Sequence, residues 1–168
     1  CTQRDASREL IDALAAVQNV DVNETEAWAG QLRKEAASPQ SDRRIQVMAL
    51  VGFVCLANAP LAMGLVDASL FDMLASLTNA SSNEIETCAM AHLLSEGASH
   101  TALRSKLATR PSIEHWLATH AQSSLNDERV QVCLDLVRIK FAIGTNNTQH
   151  ALSLPFDTCK LMFETFCA

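Results

Sequence analysis

The segment Ser82-Asn83-Glu84-Ile85-Glu86-Thr87-Cys88-Ala89-Met90-Ala91-His92-Leu93-Leu94 has the composition of a helix that starts under a polar cap and then enters a core. Asn83 is a strong N-cap residue, Glu84 and Glu86 suit the positive end of a helix dipole, and small apolar residues come next. The same order of residue types opens at Ser41-Asp42-Arg43-Arg44-Ile45 and again at Asn126-Asp127-Glu128-Arg129-Val130. The three starts are about 40 to 45 residues apart. A unit of that length, repeated, buries its apolar face against its neighbours.

Working outward, each unit divides into three helical stretches, one long, one short and one intermediate. The first repeat, 41–79, has them over 42–56, 60–66 and 69–77; the second, 80–123, over 83–96, 100–108 and 111–121. Leu70, Met73 and Leu74 recur as Ile113, Trp116 and Leu117. The third repeat, 124–168, has a long helix through Val130, Cys133, Leu134, Val137 and Phe141. A turn at 144–147 and helical stretches over 149–154 and 155–166 complete it. Ahead of these, residues 1–40 read as a helix pair. Its first helix is marked by Leu10, Ile11, Leu14 and Val17, and its second, with Trp28 and Leu32, by a capping box of Asn23 and Glu26. Pro39 ends that pair and Ser41 is placed to cap the next helix. The period is that of armadillo and HEAT arrays. The expectation is an all-α, right-handed armadillo-like solenoid forming one domain. Its core is Leu14, Ile45, Ala49, Phe53, Leu70, Leu74, Ala89, Leu93, Ile113, Trp116, Leu117, Leu134 and Val137.

Composition agrees with helices packed through aliphatic residues: 48% hydrophobic, 5% aromatic and no Tyr, with five Gly and four Pro, too few for the turns of an all-β fold. The chain opens at Cys1 without an initiator Met and reads as a piece of a longer protein. A net charge of −6 argues against nucleic-acid binding, which needs a basic stripe. From Ile45 to Val66 no residue is charged, long enough to span a bilayer. Asn58-Ala59-Pro60 interrupts it, so two buried helices joined by a turn are expected and a membrane span is not. Six cysteines, with Asn-x-Ser/Thr patterns at Asn23, Asn79 and Asn146, would permit a secreted, disulfide-bonded chain. Cys55, Cys88 and Cys133 instead fall inside apolar helical stretches, where a free thiol behaves as a small hydrophobe. That usage points to free thiols in a reducing, cytoplasmic setting.

The chemistry-bearing residues form no recognisable catalytic set. His115 and His120 are five apart, off the ligand spacing of one helix face, and His92 lies within an apolar run. No phosphate-binding Gly loop, nucleophile elbow or Cys-x-x-Cys pair is present. Neither cofactor nor metal is expected, and the chain reads as a non-enzymatic module that binds a protein. Arg104, Lys106 and Arg110 form a basic cluster that reads as a solvated face or a docking patch. The helix dipole suffices for Arg138 and Lys140 if they close a long helix. If the third helices line the binding face, its contact residues are Phe71, Asp72, Ser76, His115 and Thr119, with Arg104 from the basic cluster. Phe71 has two readings, an exposed anchor or a side chain turned into the next repeat's core.

Residues 83–141 also resemble the central armadillo region of the UCS family of myosin chaperones. The resemblance is carried by Asn83-Glu84-Ile85 through Leu93-Leu94, Arg104 with Leu107, and Ile113-Glu114-His115-Trp116-Leu117. It continues through Asn126-Asp127-Glu128-Arg129-Val130 and Leu136-Val137-Arg138-Ile139-Lys140-Phe141. Gly97-Ala98-Ser99 stands where the family commonly has a cysteine-bearing turn. The resemblance implies a spacer or positioning module of a myosin-directed co-chaperone. Its partners would be a myosin motor domain and heat-shock chaperones, and the family's main myosin groove would lie in a domain after this chain.

Overall fold

A computed structural model describes residues 17, 19–121 and 128–145. Each α-helix in that part falls where the spacing places one. The helices are α1 (Thr25–Ala36), α2 (Ser41–Ala57), α3 (Ala59–Asp67), α4 (Leu70–Asn79), α5 (Glu84–Ala98), α6 (Thr101–Ala108), α7 (Pro111–Ala121) and α8 (Glu128–Thr145). A 3-10 turn over Val22–Glu24 precedes α1, and no strand occurs among the described residues. The chain is all-α. Leu14 and the helical stretches expected over 149–154 and 155–166 lie outside the described residues.

Local chemistry sets the breaks. Asn58 separates α2 from α3: its side chain accepts from Leu61 N at 3.0 Å, Pro60 sits in the first turn, and its amide donates to Val17 O at 3.0 Å. The uncharged stretch is therefore two helices. Among the described residues no single helix is long and apolar enough to cross a membrane, and α3 and α4, which qualify only together, are bent by 67°. Ser69 turns α3 into α4 at φ 59°, a left-handed conformation unusual for a residue with a Cβ. Asn83 caps α5 by accepting from Ile85 N at 2.9 Å. Two expected caps are absent. The 3-10 turn takes the place of the Asn23–Glu26 capping box, with Asp21 accepting from Asn23 N at 3.0 Å. Ser41 lies inside α2, where its hydroxyl accepts from Asn83 Nδ2 at 2.7 Å and joins two repeats.

Equivalent helices stack. The long helices α2, α5 and α8 form one ladder, α4 lies on α7, and α3 lies on α6. The polar contacts that fasten these stacks bridge 38 to 45 residues. Arg44 meets Glu86 at 2.5 Å, and Arg110 meets Asp72 at 3.3 Å. Lys106 pairs with Asp67, which also lies 3.7 Å from Arg110, and Arg33 donates to Ala68 O. Asp67 closes α3, the wrong end of a dipole for an anion, and the two cations offset that cost. Glu86 is fully buried. Burial pushes its carboxyl pKa up, but the Arg44 guanidinium and the Ser41 and Ser81 hydroxyls outweigh this and hold it below the usual range.

The core runs along the inner faces of the ladder. Met48, Val51 and Val54 of α2, Leu61 and Leu65 of α3, and Leu70, Phe71 and Leu74 of α4 have no exposed surface. Met90, Leu94, Leu103, Leu107, Ile113, Trp116 and Val137 continue it. Each such side chain contributes about 1.5–3 kcal/mol of burial free energy. The expected core needs correction on the long helices. Ala49 is exposed, while Ile45, Phe53 and Ala89 are half-buried, because the inward stripe of α2 is Val47, Met48, Val51, Val54 and Cys55. Leu117 is also half-buried. Arg138 and Lys140 precede the last turn of α8, which runs to Thr145, so the dipole is not their role. Arg138 binds Asp135 at 2.9 Å and His120 O at 3.1 Å, and Lys140 donates to Ser95 of α5 and to Ser99, which follows it.

Candidate functional site

The face of α2 left outside the core is as apolar as the face inside it. Ile45, Ala49, Gly52, Phe53 and Leu56 recur at helical spacing, and Ala89, His92 and Glu96 of α5 stand opposite. Together they line a groove of about 360 Å³. Arg44 with Glu86 and Ser41 with Asn83 align the N-terminal ends of the two helices. Gly52 faces Leu93 of α5, and a Cβ there would lie in ordinary van der Waals contact, 3.8 Å from the Leu93 backbone. Leu56 keeps 55% of its surface exposed, and Ile85, one turn before Ala89 on the same face of α5, keeps 65%. Such a strip is unusual outside an interface or a ligand groove.

Groove polarity is confined to His92 and Glu96, 3.8 Å apart on successive turns. Beneath them Cys55 is buried, with Sγ 3.9 Å from where a Cβ on Gly97 would lie. Burial pushes the Cys55 thiol up to about 12, and the Glu96 carboxylate adds to the effect. The thiol is protonated at neutral pH and is no nucleophile. Cys55, Cys88 and Cys133 are free thiols. Among the described residues no group of three His, Cys, Asp or Glu side chains could hold a metal ion.

The residues expected to contact a partner are distributed differently. Phe71 is fully buried in α4, so of its two readings the packing one holds and it offers no anchor. Asp72 is half-buried between Arg110 and the Ser112 hydroxyl, where it fastens α4 to α7. Ser76 is exposed and donates to Asp72 O at 2.9 Å; Thr119 is exposed and donates to His115 O at 2.9 Å. His115 is exposed on α7, and Arg104 is half-buried on α6. The stack of α4 on α7 thus gathers Asp72, Ser76, His115 and Thr119 on two neighbouring helices, without an apolar anchor. Lys106 and Arg110 of the basic cluster work between repeats.

His120 is the other unusual group. It lies against Trp116, ring centroids 4.5 Å apart, and neither ring nitrogen has a hydrogen-bond partner. Burial, then the nearby Arg138 cation, lowers its pKa.

One signal in the sequence points to the groove. Between Ile45 and Leu56 only Gln46 and Gly52 are not hydrophobic, more apolar surface than one inward stripe of a helix can absorb. Comparison with protein-family models, with curated proteins and with solved structures finds no match for the chain.

Proposed function

We propose that the chain is a non-enzymatic protein-interaction module, built as an armadillo-like right-handed solenoid, within a cytoplasmic co-chaperone directed at myosin. One observation carries the interaction reading. An apolar groove stays open along two stacked long helices, while the charged side chains Arg44, Glu86, Asp67, Asp72, Lys106 and Arg110 are engaged between helices. A surface of that kind suits a protein partner, and its polar groups are confined to His92 and Glu96 at one end. Support for the solenoid comes from the stacking of equivalent helices one repeat apart. Support for myosin comes from the resemblance across 83–141, and heat-shock chaperones would be further partners.

A second reading has an observation in its favour. The groove is built mainly from 45–56, upstream of the residues that carry the resemblance. On that reading the chain is an armadillo scaffold for an unrelated partner. The two separate on a myosin motor domain. The protein carrying this chain should retain the motor domain in a pull-down and suppress its aggregation on heating. If it does neither, the myosin assignment falls and the scaffold reading stands.

A further inference from the structure

The long helices meet twice, and the two junctions end differently. Between α5 and α8, Lys140 Nζ reaches Ser95 O at 3.0 Å, Ser95 Oγ at 2.8 Å and Ser99 Oγ at 3.0 Å. A cation is thereby absorbed within the ladder. One repeat earlier, between α2 and α5, the charged residue is Glu96, and Gly52, Phe53 and Leu56 stand opposite without a side-chain donor. Among the described residues its ion-pair partner is His92 of its own helix, 66% exposed and 3.8 Å away. Glu96 also stands in the last turn of α5, where the helix carbonyls add negative potential. At the other end of the groove Arg43 and Arg44 are already paired, with Glu35 at 3.4 Å and Glu86 at 2.5 Å. Among the described residues the groove is thus apolar along its length, with an acidic end that no Lys or Arg pairs.

From Ile45 to Leu56 the strip is about 16 Å long, three turns of helix at 1.5 Å per residue. Net charge on the chain is −6, which opposes a second copy as the occupant. We propose that the groove takes an amphipathic helical segment of a partner protein, about three turns long. Its aliphatic or aromatic side chains lie against Phe53, Leu56 and Ala89, and a Lys or Arg at its end pairs with Glu96. This rests on the interaction-module reading and is independent of whether the partner is myosin.

The test uses two fluorescein-labelled synthetic peptides of about 15 residues, both with leucines on one helical face. One ends in lysines and the other in glutamates, and binding to the 168-residue chain is read by anisotropy. The lysine peptide should bind more tightly than the glutamate peptide. Glu96→Lys should weaken the lysine peptide about three- to tenfold and improve the glutamate peptide, the scale of one ion pair at a solvent edge and its reversal. Leu56→Asp, at a largely exposed position, should weaken both peptides by about tenfold or more with an unchanged helical spectrum, while His115→Ala on α7 should weaken neither. Equal binding of the two peptides to parent and Glu96→Lys would overturn the charge assignment. Indifference to Leu56→Asp, or binding of neither peptide, would overturn the groove. A parent that is dimeric in sedimentation, and monomeric as Leu56→Asp, would show a second copy as the occupant and overturn the proposal. None of these outcomes bears on the motor-domain pull-down.

Discussion

Replacing Trp116 by Ala removes the largest fully buried side chain of α7. Deleting a buried aromatic costs about 3–5 kcal/mol, the transfer term plus the cavity left behind. The tilted contact with His120 at 4.5 Å adds about 0.5–1.5 kcal/mol. One term works the other way. Trp116 Nε1 has no hydrogen-bond partner, so the native state already bears an unpaired donor worth about 1–3 kcal/mol. The expected net loss is therefore about 3–4 kcal/mol, roughly a 10 °C fall in Tm for a chain this size. Trp116→Phe keeps much of the volume and discards the unpaired donor, so it should cost about 1 kcal/mol or less. Urea unfolding followed by helical circular dichroism measures both. Should Trp116→Ala lose under about 1 kcal/mol, or Phe cost as much as Ala, the indole is not packed in the core or its N–H is satisfied.

Three further expectations rest on single groups. His120 has a lowered folded pKa, so the unfolded chain binds its proton more tightly and stability falls as pH drops below the unfolded value of about 6.5. His120→Leu should flatten the pH dependence of the urea midpoint between about pH 5 and 7, and an unchanged slope would show that the imidazole is solvated. Gly64→Ala should destabilise by about 1–3 kcal/mol despite the better helix propensity of Ala, because its Cβ would lie 2.5 Å from Thr25 Cγ2; a variant at least as stable as the parent refutes that close approach of α3 to α1. Iodoacetamide should label Cys88 and Cys133 of the native protein before Cys55, whose thiol is buried and pushed up to about 12; peptide mapping that finds all three modified together would contradict that burial.

Helix positions are legible in the sequence because their signals are local. Pro39, Asn58-Ala59-Pro60, Asn83 and Pro111 stop or start helices through their own backbone and side-chain chemistry. Leu70 and Ile113 are legible as like residues opening α4 and α7, and both are buried, whereas Leu74 is buried and Leu117 only half-buried. Which stripe of α2 faces inward is not legible, because both its faces are apolar and periodicity cannot rank them. Ser41 and Arg110 read locally as a cap and a surface charge, although their partners, Asn83 and Asp72, belong to another repeat. Phe71 has two admissible orientations in the sequence, and only the packing of α4 decides between them.

Among the described residues, no two helices that pack extensively against each other are more than three apart in chain order. A chain wired in this way can fold while it is being made. At about 5–20 residues per second, a repeat of this length takes roughly two to nine seconds to leave the ribosome, while helix formation takes about a microsecond. Each new long helix emerges to find its predecessor already formed and waiting. The inward stripe of α2 therefore waits only while α3, α4 and α5 are translated.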